Sequence, residues 1–166
     1  EMYFYAVEPG PFEEAVHQAL AKHPGYHCEC FAAEDPGWTG YFDELYPGPE
    51  EMQQIQNQLV VMELTKHGDR LQVPRPVTHY LHFPTSYTRE SFAAEAGQIG
   101  FKVADQFEEE DDEDSSELLP FWIVIERTDA VQLDVITAVT IELMRLADEH
   151  GGRYDGWETP LVCDES

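Results

Sequence analysis

Four side chains of the types that bind zinc occur close together in the first part of the chain. They are His23, His27, Cys28 and Cys30. A strand over residues 26–31 would place the two cysteines on one face and His27 on the other, so the group would not converge on a metal. Thiols are also small and apolar enough to suit a core face. We therefore predict a structural role for these residues, with no metal and no other cofactor.

No motif typical of a catalytic site is present. The chain contains no G-x-S-x-G, P-loop, G-x-G-x-x-G or H-E-x-x-H pattern. His79 and His82 share a predicted strand but point to opposite faces. Carboxylates are too numerous to single out a catalytic pair. The sequence favours a non-catalytic protein, and an enzyme with an acidic cleft for a cationic substrate stays open as an alternative.

A run of acidic residues lies between two predicted strands. Because like charges repel, we expect this run to form an extended loop. It lacks the spaced ligands and the turn glycine of a calcium-binding loop. It could attract a basic partner, or it could be a solvated insertion with no role of its own. The run comprises Glu108, Glu109, Glu110, Asp111, Asp112, Glu113 and Asp114.

The overall charge restricts the classes of partner. The chain has 34 acidic and 9 basic residues, a net charge of −25. This charge repels phosphate groups, so we expect neither direct nucleic-acid binding nor membrane binding, and it favours a basic protein partner. The 3 cysteines fit a reducing compartment. With no visible signal peptide and no long apolar run, the prediction is a cytoplasmic protein.

The first half is predicted to alternate strands and helices. Aromatic and apolar runs predict strands over residues 2–7, 26–31 and 38–45. One helix is predicted to begin at Pro11, a favourable first position for proline, and a second at Gly48-Pro49. In the second helix, apolar residues recur every three or four positions and predict a buried face. That face comprises Met52, Ile55, Leu59 and Met62.

The second half repeats this order. We predict strands over residues 77–83, 101–107 and 119–125, with one helix between the first two strands, the acidic loop between the second and third, and one helix after the third. Both halves contain similar short segments, such as residues 67–70 and 150–153. We therefore predict an α+β fold of two tandem ferredoxin-like βαββαβ units with antiparallel sheets. Residues 1–70 would form a βαββα unit and residues 71–166 the second ferredoxin-like unit.

The segment after the last predicted helix, residues 150–158, has two possible roles. Gly151 or Gly152 suits the left-handed end of a helix, and the following aromatics could simply close the core. The aromatics could equally form a recognition edge, because such residues are common binding anchors. The candidate binding residues here are Tyr154, Asp155 and Trp157.

Three stretches of the second half carry a family resemblance. They are residues 67–84, with Gly-Asp and Pro-Arg-Pro-Val before Phe-Pro; residues 92–103, with Gly-Phe after a helix; and residues 138–157, ending in Gly-Gly-Arg-Tyr-Asp-Gly-Trp. Over about residues 50–162 the chain resembles the regulator of ribonuclease activity B family. These are small acidic bacterial proteins described as inhibitors of ribonuclease E.

The resemblance implies a ferredoxin-like fold and a non-catalytic role in RNA metabolism. It implies binding to the basic scaffold region of ribonuclease E, for which an acidic protein is a physically suitable ligand. Two features depart from the family pattern: an additional N-terminal unit, and an acidic run in an internal loop instead of a tail. An immunity or antitoxin-like protein that neutralises a basic partner is the alternative from another class.

Overall fold

The computed structural model describes residues 4–26, 29–108 and 119–163. The chain divides into two compact units, residues 1–46 and residues 47–166. This boundary places the helix that begins near residue 49 in the second unit, whereas the sequence-based division at residue 70 placed it in the first. Within the described ranges, no helix is long and apolar enough to cross a membrane.

The first unit contains helices in its described part. The helix predicted to begin at Pro11 is present, but this helix, α1, begins two residues earlier and spans Pro9–Leu20; a π-helical segment spans Tyr41–Leu45. Residues 4–7 and 29–31 form no strand, and residues 38–45 are largely helical, so the strand predictions for these described positions are wrong. Residues 2–3 and 27–28 of the predicted strands lie outside the described residues. The tandem repeat of two ferredoxin-like units is therefore not confirmed.

A capping aspartate explains why residues 39–45 are helical. Asp35 accepts hydrogen bonds from the backbone N–H of Thr39 at 2.7 Å and of Gly40 at 2.9 Å. These bonds satisfy amide groups that the first turn of a helix leaves unpaired. Trp38 adopts a φ of 56° and stacks on Tyr5, with ring centroids 4.5 Å apart. The aromatic side chains that suggested a strand thus pack beside a capped helix.

The second unit is a four-stranded antiparallel sheet with helices. Its strands are β1 (Arg75–Phe83), β2 (Lys102–Glu108), β3 (Phe121–Asp129) and β4 (Arg153–Glu158), and its helices are α2 (Pro49–Lys66), α3 (Ser86–Gln98) and α4 (Leu133–Glu149). The strand order is β2-β3-β1-β4, with every neighbouring pair antiparallel. From β1 onward this is the ferredoxin-like βαββαβ arrangement. The α+β fold predicted for this half is confirmed.

The core of the second unit lies between α3, α4 and one face of the sheet. Alternating positions of the two central strands point into it, as a period of two requires. The helices contribute positions three or four apart, such as Phe92 and Ala96 of α3 and Val139 and Leu143 of α4. The largest fully buried side chains include Leu81, Phe83, Phe92, Ile123, Ile125 and Leu143.

Helix α2 packs on α4 through an unexpected face. Its buried residues are Gln53, Asn57 and Val61. The predicted buried face is wrong, because Ile55, Leu59 and Met62 are 43%, 62% and 49% exposed, and Met52 is only half-buried. Helix α2 thus turns polar side chains inward and apolar side chains toward solvent.

The similar segments at residues 67–70 and 150–153 share a way of ending a helix. Gly68 and Gly151 follow α2 and α4 with φ values of 75° and 67°, which glycine adopts without steric cost. The next N–H then bonds back to the helix, from Asp69 to Leu64 at 3.1 Å and from Gly152 to Ala147 at 2.8 Å. This is the Schellman hydrogen-bond pattern, and it accounts for the likeness without a duplicated domain.

Gly152 is expected to tolerate no side chain. A methyl group at this position would overlap the ring of Phe83 and approach the carbonyl oxygen of His82 to 2.6 Å. We predict that Gly152→Ala lowers the free energy of unfolding by about 1–3 kcal/mol, measured by urea denaturation. At Gly156 an added Cβ would meet nothing within 4 Å, so Gly156→Ala is the matched control. Equal losses in the two variants would contradict the packing argument.

Candidate functional site

Strand β4 places two of the three candidate binding residues against the core. Its register on β1 sets Trp157 opposite His79 and Tyr154 opposite Leu81, and His79 and Leu81 are both fully buried. A register shift between Tyr80 and Leu81 allows both aromatic side chains to face inward. Sequence reasoning left the core and the recognition edge as alternatives, and the geometry gives both aromatics partners inside the unit.

Trp157 joins a buried polar network. Its indole N–H donates to the side-chain oxygen of Asn57 at 2.9 Å, and that oxygen also accepts from Gln53 at 3.0 Å. The amide nitrogen of Asn57 donates to the hydroxyl oxygens of Thr140 at 2.7 Å and of Thr137 at 3.3 Å. Asn57 therefore ties α2 to α4 and β4, and a buried amide with these partners loses little by leaving water.

Tyr154 pairs with the buried histidine of β1. The Tyr154 hydroxyl and the Nδ1 of His79 are 2.9 Å apart, and the ring of Phe101 meets the His79 ring edge-on. Burial, together with the positive charge of Arg127, lowers the pKa of His79 from 6.5 to about 3. Burial and the charge of Asp155 raise the pKa of Tyr154. Both groups are therefore neutral near pH 7, which suits a packing pair.

Asp155 is the candidate residue of β4 that faces solvent. Its side chain is 53% exposed and lies 3.9 Å from the Nε2 of His82. Glu108, the last residue of β2, is also exposed. The other candidates of the acidic run, Glu109, Glu110, Asp111, Asp112, Glu113 and Asp114, lie outside the described residues.

A buried ion pair explains the Gly-Asp and Pro-Arg positions singled out by sequence. Arg75 Nη1 donates to Asp69 at 2.5 Å, and their side chains are 3% and 0% exposed. The guanidinium also donates to the carbonyl oxygens of Arg70 and Pro160, and the same Asp69 oxygen accepts from the N–H of Val162. Burial raises the pKa of Asp69, but these hydrogen bonds outweigh it and the net pKa is lowered. The pair fastens the segment after β4 to the start of β1.

The surface between α3 and α4 is open and carries both charged and apolar side chains. A groove of about 980 Å³ runs between these helices. Its lining combines carboxylates and the guanidinium of Arg145 with apolar side chains. Sequence reasoning did not find it, because its acidic residues come from two helices far apart in the chain. The residues concerned are Glu95, Glu142, Glu149, Ile99, Ile141 and Leu146.

The charged side chains at the groove are solvent-exposed. Arg145 donates twice to Glu50, at 2.7 and 2.8 Å, with side chains 66% and 44% exposed. Glu95 is 50% exposed and lies 3.3 Å from the Nε2 of His150. Among residues 4–26, 29–108 and 119–163, no three histidine, cysteine, aspartate or glutamate side chains converge on a possible metal position.

Fold and groove together define a ferredoxin-like α+β protein whose surface carries a groove lined by carboxylate and apolar side chains. Residues 54–159 match the family described as regulator of ribonuclease activity B. The chain belongs to this family. Residues 1–46 match a different family, one of unknown function, over the same stretch as the first compact unit.

Individual relatives agree with this assignment. The regulator of ribonuclease activity B of Escherichia coli is 32% identical over 113 residues, which cover 68% of this chain and 80% of the relative. The protein of the same name from Photobacterium profundum is 28% identical over 117 residues, covering 69% of this chain and 85% of the relative. The resemblance noted in the sequence is thus confirmed.

Replacing Asn57 tests the polar network. Asn57→Ala would leave the buried donors of Gln53 and Trp157 without their acceptor, so we predict a loss of about 2–4 kcal/mol in the free energy of unfolding. Gln58→Ala is the control, because Gln58 is the neighbouring residue on the solvent side of α2. Chemical denaturation followed by tryptophan fluorescence measures both. An Asn57→Ala variant as stable as Gln58→Ala would refute the network's role.

The pH dependence of the free energy of unfolding tests whether burial lowers the pKa of His79. The pKa of His79 is about 3 in the folded protein and 6.5 in the reference state, so between these values the unfolded chain binds more protons. Stability is therefore lost as the pH falls through this window, by up to about 1.4 kcal/mol per pH unit. We predict that His79→Gln flattens this loss, whereas His67→Gln, at an exposed histidine, does not. Unfolding curves at a series of pH values give the free energy of unfolding of each variant. The same dependence on pH in both variants would contradict the assignment of this loss to His79.

Proposed function

We propose that this chain is a non-catalytic acidic protein that binds and inhibits ribonuclease E or a related RNA-processing assembly. The observation that supports it most is the carboxylate-bearing groove between α3 and α4, in a chain of the regulator of ribonuclease activity B family. The relatives are named regulators of ribonuclease activity. We also propose a cytoplasmic location, where such an enzyme would be met.

Charge and apolar area would contribute differently to binding. The net charge of −25 attracts a basic segment from a distance and speeds the encounter. The apolar side chains Ile141 and Leu146 then bury the apolar stripe of the bound segment and give specificity. A bound basic segment would be held away from RNA, which gives a physical route to inhibition that needs no chemistry from this chain.

The candidate residues outside the groove have different proposed parts. The acidic run from Glu108 to Asp114 and the exposed Asp155 would extend the negative surface that attracts the partner. Tyr154 and Trp157 would act by holding β4 in place, since both have partners within the unit. The exposed carboxylates of the groove favour this binding role over the acidic-cleft enzyme, whose catalytic pair would need desolvation.

Binding to the purified scaffold region of ribonuclease E tests the proposal. We predict that Glu142→Lys weakens binding about tenfold, because it places a like charge against a basic segment. Glu90→Lys makes the same charge change on an exposed part of α3 outside the groove and serves as the control. Calorimetry gives the affinity, and RNA cleavage with and without the protein gives the inhibition.

Salt separates the two parts of the proposal. Raising sodium chloride from about 50 mM to about 300 mM is expected to weaken binding, because it screens the attraction. No binding at either concentration would overturn the ribonuclease assignment. Binding that is indifferent to salt and to Glu142→Lys would keep the partner and overturn the role of the groove.

A further inference from the structure

The solvent-facing side of α2 carries a stripe of apolar residues, which we call the α2 stripe. It consists of Met52, Ile55, Leu59 and Met62, of which the last three are 43%, 62% and 49% exposed. At about 100° per residue, the stripe is centred about 180° from the buried positions of the helix. Because Asn57 holds the other side of α2 against α4, rotation of the helix cannot bury the stripe.

The spacing of the stripe is self-complementary. Successive members are three, four and three residues apart, which is the 3.5-residue period of a coiled-coil seam and reads the same in both directions. Two antiparallel copies of α2 related by a two-fold axis at the level of residue 57 would place Ile55 on Leu59 of the second copy. The same axis would place Met52 on Met62 of the second copy. A symmetric pair of this kind is the commonest form of closed oligomer.

Charged residues are absent beside the α2 stripe, although they are common elsewhere in the chain. From Met52 to Met62 the helix has no acidic or basic residue, although 26% of the chain is charged. In the antiparallel arrangement, Gln56 and Gln58 flank the axis and would bring no like charges together. Lys66 continues the stripe and would come near the acidic first turn of the second copy, where Glu51 lies. Lys66 is already paired with Glu63 of its own helix at 2.8 Å, so each end of the pair brings carboxylates of the two copies near one another and adds repulsion.

The proposed dimer interface is small, and the charge of the two copies opposes its formation. A seam of about three helical turns lies at the low end of specific interfaces, below about 1,200 Å² of total buried surface. Each copy also carries a charge of −25, and the two charges oppose association. A weak, reversible dimer is the expected result.

We propose that the α2 stripe is a self-association surface at which two copies of this chain pair antiparallel through Ile55 and Leu59. This surface is separate from the proposed ribonuclease-binding groove. It also responds to salt in the opposite direction, because screening reduces the repulsion between the two chains.

Sedimentation equilibrium of the full chain tests the proposal. The expected result is a monomer–dimer equilibrium whose dimer fraction rises when sodium chloride increases from about 50 mM to about 300 mM. Leu59→Glu is expected to weaken dimerisation at least about tenfold, because it places two carboxylates near the axis. Gln54→Glu adds the same charge at an exposed position of α2 off the stripe and is expected to change dimerisation less than about twofold.

Two further variants keep the test decisive. Met62→Gln removes apolar area without adding charge and should also weaken the dimer, which separates apolar contact from repulsion. In a background with the native cysteines replaced by serine, Gln58→Cys should form a disulfide-linked dimer on oxidation, whereas Gln54→Cys should not. A monomer at both salt concentrations, a dimer that Leu59→Glu leaves unchanged, or equal losses from Leu59→Glu and Gln54→Glu would each overturn the proposal.

Discussion

The buried side-chain amide of Asn57 is the interaction on which the arrangement of the second unit depends. It is fully buried and hydrogen-bonds to Gln53, to Thr140 of α4 and to Trp157 of β4. Rotating α2 to bury its apolar side would remove these partners and leave several polar groups unpaired in the core. The exposed stripe of α2 is thus a consequence of the polar network behind it.

The same network explains where sequence reasoning succeeded and where it failed. The apolar residues of β1, such as Val77, Leu81 and Phe83, alternate as a half-buried strand must, so the sheet and its helices were predictable from period alone. The existence of α2 was equally visible, but its buried face was not. Hydrophobic periodicity assumes that apolar residues point inward, whereas the partners of Asn57 lie some 80 to 100 positions further along the chain. A single sequence gives no sign of such distant pairing.

The sequence-based predictions failed for the first unit and for the groove for related reasons. A turn at residues 36–37 leads into a helix where a strand over residues 38–45 was predicted, and Asp35 caps that helix through Thr39 and Gly40. A side chain that can serve a turn or a helix cap gives the same signal for both. The carboxylates of the groove were hidden among the 34 acidic residues of the chain, and only the packing of α3 beside α4 distinguishes them. The segment around Trp157 was informative because its glycines have local geometry that sequence alone can indicate.

The proposed surfaces share one electrostatic constraint, and this constraint couples them. Each copy carries −25, so two copies that meet at the α2 stripe repel each other over the distance that salt leaves unscreened. A basic segment bound in the groove would neutralise part of that charge on each copy and so lower the cost of pairing. Linkage requires the reverse as well: a pair would present a stronger negative field and hold a basic partner more tightly. The salt bridge between Arg145 of α4 and Glu50 of α2 connects the groove to the helix that carries the α2 stripe. The proposed coupling does not depend on this bridge, because the electrostatic field of the whole chain is sufficient. In the function proposed above, the high charge of this chain would favour binding of a basic protein and would oppose self-association until that protein is bound.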